Sequence, residues 1–423
     1  METSFPSSKK KKKKTLPSLR RRGTQTLAPP AGSAAKQQAT MSAPELLDDL
    51  IGEVLLRFPP EEPELLVRAA LVSKRWCRLI SDPGFRRRFR EFHRTPPMLG
   101  FFCIDQRVPR FVPTSSVRLP HEFRMPRDDR FSWCALDTRH GRVLLHRHRV
   151  WYELDLHQLV VWNPITDEQQ EVPTPPIPPE HVYPYCCSWT AAVLCATAGG
   201  GCNNLNCHPG SFLVVFVCTG SRETFTCIYS SDSGAWSGPT SVQLRYASVR
   251  FRPSVLSENA LYYVSDNCRS SKKILKVDLS TREASLIRLP RTPYKHIGLT
   301  AMVDGGLGFA AMHESKLHLW SMDPGSKAYA GWTHNRVFEL DKLLGPIGNC
   351  LESIYELHFV DGIGALFIGT KDVFVMLDLK SFQIRKLYEG RLIYGVVPYM
   401  SFYTPAFRAA NTGEGPTMVA STT

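Results

Sequence analysis

Val160-Val161-Trp162-Asn163-Pro164-Ile165-Thr166-Asp167 is an apolar run that breaks on a turn residue, and its form decides how the larger part of this chain folds. Asn or Asp beside Pro, Gly, Ser or Thr bonds to nearby backbone and tolerates the conformations a hairpin requires, so the stretch predicts a strand, a tight turn and a returning strand. The phrase recurs as Ile228-Tyr229-Ser230-Ser231-Asp232-Ser233-Gly234-Ala235-Trp236 and as Leu275-Lys276-Val277-Asp278-Leu279-Ser280-Thr281-Arg282. It recurs again as Leu319-Trp320-Ser321-Met322-Asp323-Pro324-Gly325-Ser326 and as Met376-Leu377-Asp378-Leu379-Lys380-Ser381-Phe382-Gln383. With Asn163, Asp232, Asp278, Asp323 and Asp378 as equivalent markers, the intervals are 69, 46, 45 and 55 residues. A spacing of about 45 residues is the period of a four-stranded propeller blade.

The long first interval holds Pro173-Thr174-Pro175-Pro176-Ile177-Pro178-Pro179 and Ala198-Gly199-Gly200-Gly201-Cys202-Asn203-Asn204, which read as loop insertions. Residues 98–403 as a whole alternate short Val-, Leu-, Phe-, Tyr- and Trp-rich runs with turn clusters, an all-β pattern. One further blade before Asn163, at roughly 98–128, brings the count to about six, and Tyr394 to Tyr403 are placed to close the ring against the first strands. A pair of open β-sandwiches is the competing architecture. Trp151, Trp162, Trp189, Trp236, Trp320 and Trp332 are expected in the blade core, with stacking on a sugar or base as the functional alternative.

Upstream the period changes. Asp48 and Asp49 precede Leu50, Ile51, Val54, Leu55 and Phe58 at helical spacing, and Pro59-Pro60 stops the pattern. Pro63 suits a first helical turn before Leu65, Leu66, Ala69 and Ala70, and Ser73 offers a cap for a helix from Lys74 to Ile80 that displays Trp76 and Leu79. After Asp82-Pro83, the residues Phe85, Phe89 and Phe92 share a helical face. Three to four short helices in about fifty residues stand near the lower limit for an independent core, so part of the apolar surface of 45–93 is expected to meet a partner.

Leu46-Leu47-Asp48-Asp49-Leu50-Ile51-Gly52-Glu53-Val54-Leu55-Leu56-Arg57-Phe58-Pro59-Pro60, followed by Arg68-Ala69-Ala70-Leu71-Val72-Ser73-Lys74-Arg75-Trp76, resembles an F-box of the kind found in the large F-box families of grasses. The likeness continues through Ser81 to His93. It implies docking on a Skp family adaptor, and through it a cullin and RING ubiquitin ligase, by Leu46, Leu50, Ile51, Val54, Leu55, Leu65, Leu71, Val72, Lys74 and Trp76. Leu47 departs from the Leu-Pro with which the family begins, a change worth about 1 kcal/mol or less through chain entropy. Phrases such as Arg252-Pro253-Ser254-Val255-Leu256 and Ala260-Leu261-Tyr262-Tyr263 also resemble the propeller-like C-terminal regions of grass F-box proteins. The expected organisation is therefore an α+β multidomain chain. A basic tail at 1–40 precedes a small all-α F-box helical module at 45–93, an all-β propeller-like target-recognition domain of about six blades at 98–403, and a disordered tail at 404–423.

The net charge of +13 is misleading as a sign of nucleic-acid binding. Residues 1–40 carry ten Lys and Arg against the single acid Glu2, leaving +4 for the remaining 383 residues. The two clusters Lys9, Lys10, Lys11, Lys12, Lys13, Lys14 and Arg20, Arg21, Arg22 fit a bipartite nuclear-import signal or a solvated disordered tail. A start at Met41 would remove both clusters. No apolar stretch reaches the roughly 18 residues of a membrane span, and 12 cysteines without an Asn-x-Ser/Thr sequon suit a reduced compartment, nucleus or cytoplasm.

No phosphate loop, dinucleotide fingerprint, Gly-x-Ser-x-Gly elbow or His-Glu-x-x-His helix occurs, so neither intrinsic catalysis nor a cofactor is expected. Cys202, Cys207 and His208 lack the fourth ligand of a structural zinc site, Cys186-Cys187 fits a pair of inert strand thiols, and His146 with His148 lacks an identifiable third ligand. The leading functional reading is a non-catalytic ubiquitin-ligase subunit that brings a protein target to the ligase. The competing readings are a non-degradative scaffold or sugar-binding propeller with a vestigial F-box, and a nuclear nucleic-acid factor led by the basic tail.

Overall fold

The computed structural model describes residues 48–105, 108–114, 131–149, 158–176, 188–196, 210–220, 222–244, 248–249, 253–265, 272–290, 294, 296–302, 305–322, 331–340, 342, 354–360, 362–389 and 393–404. The basic clusters, Met41, Leu46, Leu47, the Gly-rich stretch and the end of the chain lie outside these residues.

Four helices come first: α1 (Asp48–Leu56), α2 (Pro63–Val72), α3 (Lys74–Ser81) and α4 (Pro83–His93). Ser73 caps α3 by accepting from the Trp76 N–H at 3.1 Å, and Asp82, which ends α3, caps α4 by accepting from Phe85 N–H at 2.9 Å. One face of each helix turns inward, so that Ile51, Leu55, Leu56, Leu66, Ala69, Ala70, Ile80, Phe85 and Phe89 form a single apolar core.

The strands begin with β1 (Met98–Asp105) and β2 (Val108–Pro113). A second sheet holds β3 (Phe131–Arg139), β4 (Arg142–Arg149), β5 (Gln158–Asn163) and β6 (Glu168–Val172). A third holds β7 (Ser188–Cys195), β8 (Phe212–Thr219), β9 (Thr224–Ser230) and the short β10 (Ala235–Trp236) and β11 (Thr240–Val242). A fourth holds β12 (Val255–Ser257), β13 (Ala260–Ser265), β14 (Lys273–Asp278) and β15 (Ala284–Arg288). A fifth holds β16 (Ile297–Ala301), β17 (Leu307–His313), β18 (Lys316–Met322) and β19 (Trp332–Glu339). A sixth holds β20 (Glu356–Val360), β21 (Ala365–Gly369), β22 (Val373–Asp378) and β23 (Ile384–Glu389). The last strand, β24 (Ile393–Met400), returns to β1 and completes the first sheet in the order β2-β1-β24.

The result is a six-bladed β-propeller, closed by the segment that the sequence pointed to. Its closure is also visible in the packing, because every neighbouring pair of blades, the sixth and first included, encloses its own apolar layer. Val214 and Phe216 of β8 face the second blade while Val215 and Val217 face the fourth. Successive residues of a strand point to opposite faces, so a strand buried on both sides reads as the unbroken run Phe-Leu-Val-Val-Phe-Val. Gly298 shows how closely the blades approach at the axis, since a Cβ there would stand 2.9 Å from the Leu357 carbonyl oxygen.

The repeated turn is an outer hairpin between the third and fourth strands of a blade. Asp278 Oδ1 accepts from the N–H groups of Ser280 and Thr281 at 3.0 and 3.1 Å, and Asp378 Oδ1 accepts from Lys380 and Ser381 at 2.8 and 2.7 Å. These backbone N–H donors hold the Asp378 carboxyl below its ordinary range. The fifth residue of the turn adopts positive φ at Asp167, Arg282 and Phe382. In the third blade the residue with positive φ is Gly234, and its N–H donates to Ser230 O at 2.9 Å, as Asp167 does to Asn163 O and Phe382 to Asp378 O. Ser230 is therefore the true equivalent of Asn163, and the marker Asp232 sits two residues late. The misalignment arose because a serine occupies the position where the other copies carry Asn or Asp. Asp323 lies outside the described residues.

Ring closure and the helical module share one segment. Beyond β24, Ser401 N–H donates to Pro97 O at 3.2 Å, and Phe402 packs into the module's core with its ring edge-on to Phe89 at 6.3 Å. Half-buried Phe402 therefore supplies apolar surface that fifty residues of helix do not supply themselves. Phe402→Ala is expected to destabilise the chain by about 2 kcal/mol, with faster amide exchange concentrated in α4. Exchange unchanged there would show that the module closes its core unaided.

Candidate functional site

α1 and α2 are apolar on two faces. Ile51 and Leu55 of α1 are buried in the module's own core, whereas Leu50 and Val54, one position earlier in each turn, stay 52% and 56% exposed. At the end of α2 Leu71 and Val72 are 75% and 67% exposed, and Lys74 beside them is also exposed. The Arg75 guanidinium donates from Nε to Asp48 Oδ1 at 2.5 Å, which draws the start of α1 to the α2–α3 junction and brings these apolar residues into one neighbourhood. Leu65 is half-buried, and Trp76 packs partly against the core. The ten residues expected at an adaptor thus divide. Leu50, Val54, Leu71, Val72 and Lys74 stand outward; Ile51 and Leu55 stand inward; Leu65 and Trp76 stand between; Leu46 lies outside the described residues. Phe92, grouped on one helical face with Phe85 and Phe89, departs from them, for those two are buried and Phe92 is 51% exposed.

Four exposed aliphatic side chains on one small helical body form an apolar surface that the module's own core does not use. Ion pairs frame the module, among them Arg88 to Glu53 at 2.6 Å, Arg57 to Glu53 at 3.3 Å and Arg68 to Glu64 at 3.0 Å. They lie in water, so their part is solubility and orientation more than stability.

The axis of the ring holds charge that the sequence did not reveal. Asp137 of β3 is buried and pairs with Arg139, whose guanidinium also donates to the Ser254 carbonyl and, at 3.2 Å, to Ser254 Oγ. Asp137 Oδ2 additionally accepts from Val193 N–H at 3.0 Å, so one pair fastens the second blade to the third and fourth. Glu356 and His358 form a further buried pair in β20. Arg139, Ser254 and His358 contribute to the lining of a central cavity with Gly298 and Pro398. Strict alternation along a strand predicts which face a residue takes, but not that a guanidinium will reach a chain segment 115 residues away.

The described tryptophans of the expected set pack within the blades or bond across them. Trp162 is fully buried and donates from Nε1 to Asp167 Oδ1 at 2.9 Å. Trp236 and Trp332 donate to Pro173 O at 2.7 Å and Arg288 O at 2.9 Å, each reaching the preceding blade. Trp189 stacks on Phe216 and Trp320 on Phe309, while Trp151 lies outside the described residues.

His146 sets its ring edge-on to Trp189 at 4.7 Å, and the side chain of His148 is outside the described set, as are Cys186, Cys187, Cys202, Cys207 and His208. Burial pushes the Cys134 and Cys227 thiols up to about 12, which keeps them protonated and unreactive near neutrality. Among the described residues no helix is long and apolar enough to cross a membrane.

Comparison with known proteins agrees with both halves of this geometry. Residues 44–88 match the F-box domain family, and residues 134–407 match the family described as "F-box protein AT5G49610-like, beta-propeller". The F-box protein At5g03970 of Arabidopsis thaliana is 23% identical over 305 residues, covering 67% of this chain and 68% of that protein. Among solved structures, TolB from Acinetobacter baumannii is 10% identical with a TM-score of 0.36, over 60% of this chain and 54% of that one. The WD40 domain of SCAP from fission yeast is 12% identical with a TM-score of 0.36, over 66% of this chain and 57% of that one. The propeller match spans more than half of the chain and the F-box match covers the helices before it, so the chain belongs to the AT5G49610-like family of F-box proteins with a C-terminal β-propeller.

Proposed function

We propose that this chain is the non-catalytic substrate-recognition subunit of an SCF-type ubiquitin ligase, docking a Skp family adaptor through the helical module and a protein target through the propeller. The observation that carries the reading is the outward set Leu50, Val54, Leu71 and Val72 on a module whose core is already complete without them. Exposed aliphatic side chains of this kind cost solubility unless a partner covers them.

The arrangement suits a tether. Phe402 packs in the module and directly follows β24, so the module side of the ring is the side where β24 ends. Thr138, near the end of β3, donates to Pro398 O, near the end of β24, so these inner strands run the same way and the blade-to-blade connections leave from the opposite side. The target is held there, facing away from the adaptor. The contribution to catalysis is proximity, because tethering raises the effective concentration of a target lysine near the ligase while other subunits do the transfer chemistry.

The test is reconstitution. Purified chain mixed with adaptor and cullin is expected to elute as one complex through size exclusion. A chain that elutes alone would overturn the ligase assignment and leave a non-degradative scaffold.

A further inference from the structure

The outer hairpin of the fifth blade carries a feature that adaptor docking through the helical module does not use. β18 and β19 pair in regular register from Lys316↔Glu339 to Leu319↔Arg336, then slip, so that Trp320 faces His334 and Asn335 is left over. That bulge has a definite consequence. Without the extra residue, His334 would fall opposite Ser321 and point to the other face of the sheet; with it, His334 shares a face with His318 and Trp320. The two imidazoles meet there, with His318 Nδ1 3.1 Å from His334 Nε2.

We propose that His318 and His334 form a two-imidazole site for a divalent first-row transition ion, Cu2+ or Zn2+, on the outer hairpin of the fifth blade. Metal–nitrogen bonds of about 2.0–2.1 Å to two nitrogens at the observed separation subtend roughly 95–100° at the ion, close to the angle of a tetragonal centre and within reach of a tetrahedral one. The rings lie within 26° of parallel at a centroid distance of 5.2 Å, so both must turn about their side-chain bonds before their in-plane lone pairs meet at one ion. Water completes the coordination, because among the described residues no three His, Cys, Asp or Glu side chains surround a common ion position.

The surroundings favour the ligand-competent form. Desolvation first, then His334, His313 and Lys316, hold the His318 pKa below its ordinary value, which keeps the ring neutral near pH 7. The groups facing the pair are Tyr294 and His313, about 6 Å from His318 between ring centroids, and Trp320, 4.5 Å from His334. Trp320 is itself stacked on Phe309, within 6° of parallel, and so fixes the plane against which His334 rests. A bound ion would pin β19, the most exposed outer strand of its blade, to β18.

The test is titration of the full chain with Cu2+ alone near pH 7.5, read by calorimetry and by the nitrogen hyperfine pattern of the electron paramagnetic resonance spectrum. A one-to-one component with two imidazole nitrogens is expected, displaced by Zn2+ only in large excess. His318→Gln and His334→Gln should each weaken it by about tenfold or more, while His146→Gln leaves it unchanged. Acidification should weaken it, because protons compete with the ion for the imidazole nitrogens. Because both side chains are at the surface, melting of the metal-free variants is expected to match the parent, and His334→Asn serves as a second variant if it does not. Retention of the two-nitrogen component in either Gln variant would overturn the assignment, as would its loss in His146→Gln.

Discussion

Replacing Leu50, Val54 and Leu71 together with aspartate is expected to abolish capture of the Skp family adaptor while leaving the helical module folded. All three side chains are more than half exposed, so no core contact is lost when they are changed. In a docked complex each would bury aliphatic surface worth about 1.5–3 kcal/mol, and each substitution would also place a carboxylate in a desolvated interface. The combined loss exceeds about 4 kcal/mol, or a thousandfold in affinity. The necessary control is Leu55→Asp. Leu55 is fully buried, and a charge there should unfold the module outright. Circular dichroism separates the two cases, since the surface variant keeps its helical signal and the core variant does not. Undiminished adaptor binding by the folded triple variant would remove the docking surface from this face. Trp76 is a poor probe of the same question, because it packs partly into the core and its loss confounds folding with binding.

Asp137→Ala is expected to be the most damaging single change in the propeller, by about 3–5 kcal/mol. The residue is 2% exposed and its partner Arg139 is nearly as enclosed, so the substitution leaves a guanidinium uncompensated at the ring axis. It also removes the acceptor of Val193 N–H. Against a total stability of about 5–15 kcal/mol, such a loss is read directly as a shift of the urea midpoint. Replacing both partners, as Asp137→Leu with Arg139→Met, should recover much of it, because the cost lies in the orphaned charge and not in the absence of the pair. A single variant as stable as the parent would show that water reaches Arg139 and that the pair does not fasten the three blades.

Three features of the fold were legible in the residues for the same reason: their causes are local. An Asn or Asp that accepts from an N–H group two or three residues on makes a turn wherever it stands, so Asn163, Asp278 and Asp378 announced the outer hairpins directly. Ser73 announced a helix start by the same logic. Unbroken apolar strands such as β8 announced burial on both faces, hence stacked blades. The error at Asp232 marks the limit of this kind of reading, because a serine made the turn without the side chain that identified it elsewhere.

The candidate site was only half legible. Helical spacing grouped Leu50, Ile51, Val54 and Leu55 as one apolar stripe, but a stripe one residue wider than the core requires must split, and spacing does not say where. Packing against α3, α4 and Phe402 placed Ile51 and Leu55 inside and left Leu50 and Val54 in water.

By itself the sequence determined the helical module, the blade period and the strand that closes the ring, because capping, turn chemistry and side-chain alternation act within a few residues. Tertiary structure alone decided which helix face remains outside, where Phe402 enters the module, which blades Arg139 joins and how a single bulged residue brings His334 to His318. Each of those depends on register and on contacts between segments far apart in the chain, and no local pattern encodes a distance that only the closed ring creates.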